Sequence, residues 1–300
     1  MDEQYAISQH GATWIGGLDG SGVGGPPVLI VPGGPGSPHN YCSIAAEALA
    51  MVGRTVYVYD PVGTGFSAED CTVVDWNHEV FVDELECVID AIGEPVVLLA
   101  HSYGSLVALD VAAREVDGLV AGLILCGGTA SMPAWRASIA ARRAELPAFV
   151  AALADRHERA GTTNSAEYQT AVIEYDRRFT CRTPISISWT DQETPNTPNP
   201  PAYATMWGPS EMCVDGNLAD LDLTDQLPLV TAPVVVFTGH YDSVALPVTE
   251  AMVDALPNAR VVVFDESSGL VFHEETAKFQ READAFIAAL AAAPSVRSGE

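Results

Sequence analysis

Apolar residues fall along this chain in two alternating textures. Short runs rich in β-branched residues occupy 28–31, 55–59, 96–100, 121–126, 233–238 and 260–264. Runs of that length without polar alternation predict strands buried on both faces, which is the pattern of a parallel sheet. Helical patterns separate them. The clearest spans 77–92, where Val80, Phe81, Val82, Leu85, Val88, Ile89 and Ile92 form one broad apolar face. The alternation predicts the α/β class, a mostly parallel sheet covered by helices on both sides.

Between 131 and 227 this texture stops. Ala/Arg-rich stretches over 134–159 predict helix, and the Pro/Thr/Asn-rich piece DQETPNTPNPPAY follows at 191–203. Proline lacks an N–H and fixes φ, so this second part must be extended or looped. Strands resume at Pro233. The expected organisation is a core made of 1–130 and 228–293, an inserted helical cap over 131–227, and a loose tail at 294–300. No internal repeat is visible.

Three hundred residues with 48% apolar content can bury a full core. The start MDEQYAISQH has no basic segment leading into an apolar run, and no apolar stretch approaches the roughly 18 residues that span a bilayer. The expectation is a soluble, cytoplasmic protein of undetermined oligomeric state. A net charge of −26 opposes binding to nucleic acid phosphates or anionic lipid, so neither nucleic acid nor membrane is expected as a partner. The six cysteines are scattered with no C-x-x-C pair, which indicates neither a zinc site nor a disulfide frame. No metal and no cofactor are expected.

The candidate chemistry lies at strand ends. The strand at 96–100 runs through His101 into Ser102 and then into a helix beginning near Tyr103, the layout of a nucleophile elbow. The sharp turn requires small residues two positions either side of the serine, and Ala100 and Gly104 meet that requirement. Upstream, Pro32-Gly33-Gly34-Pro35-Gly36 follows the first core strand, where glycines let a carbonyl oxygen approach backbone N–H groups. The amides of Gly34 and Tyr103 are the expected oxyanion-hole donors, with Gly33 beside the substrate. Downstream, Asp242 lies just past a late strand. The order of oxyanion loop, serine, cap and aspartate is that of the α/β-hydrolase fold.

These residues carry a more specific resemblance. The chain resembles the prolyl iminopeptidase family of α/β hydrolases, including the tricorn-associated aminopeptidases, over about 28–288. The likeness rests on Gly33-Gly34-Pro35-Gly36 (family H-G-G-P-G), on Asp60-Pro61-Val62-Gly63-Thr64-Gly65-Phe66-Ser67 (family D-x-x-G-x-G-x-S), on the elbow and on LILCGGTAS after the next strand. It extends into the cap, where Tyr203-Ala204-Thr205-Met206-Trp207-Gly208-Pro209-Ser210-Glu211 is similar to the family's Y-x-x-M-x-G-P-x-E. The resemblance implies that Glu211 anchors the free amine of a small or short amine-bearing substrate, with Trp207 beside it.

Three departures shape the functional expectation. Pro32 replaces the family histidine of the oxyanion loop. Ser243 stands where the tricorn-associated members carry a second amine-binding glutamate. The catalytic histidine, expected five residues before the glutamate that opens the last helix, is Gly269 if Glu274 is that glutamate and Leu270 if it is Glu275. Losing the triad base costs about 10⁶ in kcat. Three readings follow: His273, one helical turn beyond Gly269, substitutes as base and keeps a peptidase, amidase or esterase; the scaffold does other chemistry on a bulky carbonyl compound in biosynthesis, by addition, isomerisation or carbon–carbon bond formation; or the protein binds a ligand without catalysis. The second is the reading favoured here, because the base and the second amine anchor are missing together.

Overall fold

The computed structural model describes residues 3–20, 24–114, 118–185 and 195–292. The expected tail at 294–300 and part of the proline-rich piece, 191–194, lie outside them. Eight strands form one sheet: β1 (Gln4–Ser8), β2 (Gly11–Leu18), β3 (Val28–Val31), β4 (Val56–Tyr59), β5 (Val96–His101), β6 (Val120–Cys126), β7 (Val234–Gly239) and β8 (Ala259–Phe264). Their order is β1-β2-β4-β3-β5-β6-β7-β8. From β4 through β8 every pairing is parallel, and the β1–β2 hairpin joins antiparallel at the β4 edge.

The six apolar runs became the six parallel strands to within a residue or two. The hairpin is not legible in the sequence, because Gly11, Gly16 and Gly17 dilute the β-branched signal of β2. Alternation along β5 shows the layering: Val96, Leu98 and Ala100 join one apolar layer, Val97 and Leu99 the other. The first layer is closed by α2 (His78–Ile92) and α3 (Tyr103–Arg114), the second by α1 (Ser43–Met51) and α10 (Thr276–Ala292). Helix α2 starts where the sequence allows it: the Asn77 side chain accepts from the Glu79 N–H, and Gly93 ends it with φ 73°.

Among the described residues four α-helices lie between β6 and β7: α4 (Met132–Ala144), α5 (Ala148–Ala160), α6 (Ala166–Phe179) and α7 (Pro200–Met206). The stretch expected as helix over 134–159 is therefore two helices, broken before Pro147, which has no N–H to continue α4 and instead precedes α5. After β7 come α8 (Leu246–Ala255), β8 and the short α9 (Val271–Glu274) ahead of α10. Among the described residues no helix is long and apolar enough to cross a membrane. The loops that follow β3, β5, β7 and β8 all leave the carboxyl edge of the sheet, the edge at which open α/β sheets build their sites.

Candidate active site

Ser102 links β5 to α3 with φ 54°, the one non-glycine residue with positive φ among those described. That conformation is held from both sides. The Ser102 N–H donates to the Cys126 carbonyl at 2.9 Å, and the Ser102 carbonyl accepts from Ser105 N–H at 2.9 Å. Gly104 is required by close approach, since a Cβ there would lie 2.7 Å from the Val31 carbonyl oxygen. Helix α3 thus starts pressed against the end of β3 and leaves Ser102 partly exposed. Tyr103 is the first residue of α3, where N–H groups have no intrahelical acceptor.

The loop after β3 comes onto the serine because Gly33 has no side chain: a Cβ there would be 2.9 Å from both the Ser102 Cβ and the His101 carbonyl oxygen. Gly33 N–H donates to the Tyr41 hydroxyl at 2.6 Å, which lies 3.0 Å from His101 Nδ1. The His101 ring also bonds the Gly269 carbonyl. Burial holds this imidazole neutral, its pKa pushed down to about 3. Nδ1 therefore accepts from Tyr41 and Nε2–H donates to residue 269. A chain of hydrogen bonds runs from the oxyanion loop beneath the elbow to the loop after β8, and it occupies the His101 ring fully.

At the other end, Asp242 follows β7 and is 1% exposed. Its Oδ1 accepts from Val244 N–H at 2.9 Å and lies 3.4 Å from Ser243 Oγ, while Oδ2 is buried with no hydrogen-bond partner. Burial outweighs those bonds and pushes the carboxyl up to about 7. Beside it stands Gly269, whose Cβ position would be 3.9 Å from Asp242 Oδ1. Leu270, the alternative histidine position, is 3% exposed and packs in the apolar layer with Phe237, Val271 and Phe272. A Cβ at residue 269 would meet the Thr180 carbonyl oxygen first, at 3.2 Å.

The loop carrying Gly269 is fixed by the two glutamates that follow it. Glu274 accepts from Ser268 N–H at 2.7 Å, and Glu275 from Ser267 Oγ at 2.7 Å and Glu266 N–H at 3.1 Å. The cap reaches the same loop: Leu270 N–H donates to the Thr180 carbonyl and Ser243 N–H to the Phe179 carbonyl, each at 3.2 Å. His273 lies in α9, and its Nε2 sits 2.7 Å from the Tyr41 carbonyl oxygen, with burial lowering its pKa. The expected swing towards Ser102 is not made; the ring is bonded to the backbone beyond the oxyanion loop.

In the cap, Glu211 is partly buried, and its Oε1 accepts from the Tyr203 hydroxyl at 2.7 Å. Burial and the nearby Asp176 carboxylate push it up to about 7. Trp207, expected beside the substrate, is instead 0% exposed, its Nε1–H on the Ser210 carbonyl and its ring edge-on to Trp135. It is buried within the cap, with both its ring and its N–H satisfied by cap residues. Ser243 accepts from Trp135 Nε1–H at 3.1 Å. Arg142 of α4 donates to the carbonyls of Asp242 and His240 at 2.9 and 3.2 Å, so the cap also clamps the acid loop.

Sequence reasoning missed Tyr41, His101, Arg142, Tyr175 and Asp176 in this region. Tyr41, His101 and Arg142 bond partners distant in the chain, and no spacing marks such pairs. Among the described residues no group of three or more His, Cys, Asp or Glu is set to hold a metal. The groups at this edge of the sheet include the partly exposed Ser102, the buried Asp242 carboxyl and, in the loop after β3, Gly34 with φ 115°.

Comparison with known proteins gives the same frame. The family model for the alpha/beta hydrolase fold matches residues 26–276. Proline iminopeptidase of Heyndrickxia coagulans is 32% identical over 257 residues, covering 85% of this chain and 88% of its own. Among solved structures, VinJ aligns with a TM-score of 0.85 at 28% identity, over 96% of this chain and 99% of its own. Proline iminopeptidase of Mycobacterium smegmatis aligns at 0.82 and 31% identity, over 97% and 99%.

Proposed function

The chain belongs to the proline iminopeptidase family of α/β hydrolases, and on that footing we propose that it is a non-peptidase member, a biosynthetic enzyme acting on a bulky, amine-bearing carbonyl compound without a histidine-activated serine. The observation that carries this reading is the pairing of Asp242 with Gly269: a buried carboxyl whose Oδ2 has no partner stands beside a residue that cannot move a proton. His101 is engaged by Tyr41 and Gly269, and His273 by the Tyr41 carbonyl.

The retained parts still suit carbonyl chemistry. Amides of Gly34 and Tyr103 take up negative charge as it develops on the substrate oxygen, and such donors stabilise enolates and alkoxides as well as tetrahedral acyl intermediates. Ser102 offers a hydroxyl below that oxygen. Asp242, with its carboxyl pushed up to about 7, exchanges a proton near neutral pH with an atom next to the carbonyl, the role a poised acid or base fills best. Glu211 receives the amine. Addition, isomerisation and carbon–carbon bond formation are the reactions these groups serve.

The test is turnover of prolyl and alanyl anilides together with fluorophosphonate labelling. The unmodified protein should hydrolyse the anilides at least about 10³-fold more slowly than a family member with its triad, and Ser102 should label slowly. Ordinary family turnover that Ser102→Ala abolishes would overturn the reading.

A further inference from the structure

The motif at 60–67 ties one end of the oxyanion loop to the core. Asp60 Oδ1 accepts from His39 N–H at 3.0 Å and lies 2.6 Å from His39 Nδ1, while Oδ2 accepts from Phe66 N–H at 2.8 Å. The other end is held at Gly33 by the Tyr41 hydroxyl. Between these anchors the loop has no slack: a Cβ on Gly34 would lie 2.7 Å from Gly36 N and 2.8 Å from Ser37 N. Gly36 and Gly34 therefore move together. The Gly36 carbonyl is held from outside the core, by the N–H of Asn199 at 2.9 Å, at the foot of the cap helix α7.

Asn199 is buried and joins three elements at once. Its side-chain Oδ1 accepts from Ala202 N–H at 3.1 Å as the N-cap of α7, and its carbonyl accepts from Tyr203 N–H at 3.2 Å. Two glycines let it come close. A Cβ on Gly36, which has φ 78°, would lie 3.0 Å from the Asn199 carbonyl oxygen and 3.2 Å from the Ala202 Cβ. A Cβ on Gly63 would lie 2.3 Å from Asn199 Nδ2. Two residues earlier, the Thr197 carbonyl accepts from Gly65 N–H at 3.0 Å. The strap at 197–199 thus bridges both glycine loops. A residue that served only to cap α7 would need its Oδ1 alone; the N–H of an N-cap has no intrahelical acceptor, and here it goes to Gly36.

We propose that Asn199 is a positioning residue, through which α7 sets the Gly34 amide beside Ser102 by way of Gly36. This rests on the reading of the Gly34 and Tyr103 amides as oxyanion donors, and adds that the cap places the first while α3 places the second. The same cap helix carries Tyr203, whose hydroxyl donates to Glu211 Oε1 at 2.7 Å. A substrate that shifts α7 on binding in the cap therefore shifts the Gly34 donor with it, and a misplacement of about 1 Å can cost about 10²-fold in rate. Substrates that leave α7 seated on the loop meet both donors; those that displace it meet one.

The experiment compares Asn199→Ala, Asn199→Ser and, as a control, Ser165→Ala, which removes the N-cap of α6 elsewhere in the cap. Amide hydrogen exchange across 33–42 is followed by mass spectrometry, and the second-order rate of Ser102 labelling by a fluorophosphonate is measured on the full chain. Asn199→Ala should speed exchange of the loop at least about 10-fold and slow labelling at least about 10-fold. Serine also caps, so Asn199→Ser should stay within a few-fold of the parent in both. Ser165→Ala, which loosens the cap without touching the loop, should leave both at parent values. Unchanged loop exchange in Asn199→Ala, or equal effects from Ser165→Ala, would overturn the proposal and leave the oxyanion reading intact. Faster exchange with unchanged labelling would mean that the loop does not serve Ser102, and both would fall together.

Discussion

At the β3–β5 end of the site, glycines bring backbone onto backbone: Gly33 lies against Ser102 and Gly104 against Val31, and Ser102 keeps its strained φ of 54°. At the β7–β8 end, Asp242 is equally well placed, with its loop clamped by Arg142 and by the ends of α6. There Oδ2 has no hydrogen-bond partner, and a glycine lies beside the acid. Backbone strain of the kind at Ser102 costs of order 1–3 kcal/mol and persists where the surroundings impose it. On the function proposed above, the contrast would separate stabilisation of a substrate oxygen, kept at the first end, from activation of the serine, lost at the second.

The largest expected effect comes from restoring the missing side chain. Gly269→His should raise serine-dependent hydrolysis of p-nitrophenyl acetate by at least about 10²-fold, a fraction of the roughly 10⁶ that a triad base contributes, since the new ring lacks supporting contacts. Its Cβ would lie 3.2 Å from the Thr180 carbonyl oxygen, so the end of α6 must give by a few tenths of an ångström. Ser102→Ala in the same background should remove the gain. Leu270→His, which buries an imidazole in the apolar layer, should gain nothing and lose stability. Equal gains from both variants would show that the two ends are not arranged as described.

A second measurement probes the acid without any substrate. The Asp242 carboxyl is raised from 3.8 to about 7 in the folded protein, so the folded state holds this proton more tightly than the unfolded chain does. Its contribution to stability is present below about pH 4 and is lost as pH rises towards 7. Asp242→Asn should therefore be more stable than the parent at pH 8, by at most about 4 kcal/mol, and little different at pH 4. Parallel stability curves for the two proteins between pH 4 and pH 8, from denaturant melts, would show that the carboxyl is not held in the neutral form.

The smallest effect belongs to the hydrogen-bonded chain joining the two ends. Tyr41→Phe deprives Gly33 N–H and His101 Nδ1 of their shared partner, a loss of about 1–3 kcal/mol in stability. It should also reduce the esterase activity gained by Gly269→His, because the oxyanion loop loses its tether. A variant with unchanged stability and full esterase activity would mean that the loop is positioned by its glycines alone.

The sequence by itself determined the sheet and the order of the chemistry along it. Six β-branched runs became β3 through β8, because strands buried on both faces must be apolar throughout and helices must separate parallel neighbours. The elbow, the glycine loop and Asp242 were legible because each occupies a strand end where local backbone demands particular residue types. It also placed glycine or leucine, by two alternative alignments, where the family resemblance implies a histidine. Only the tertiary structure showed that Leu270 is buried in the apolar layer and that a Cβ at residue 269 would come 3.9 Å from Asp242 Oδ1. It likewise sent His273 to the Tyr41 carbonyl and buried Trp207 against Trp135 in the cap. The reason is common to all of these: the direction of a side chain and its partners across 30 to 230 residues depend on how separate elements pack, and local spacing carries no record of that packing.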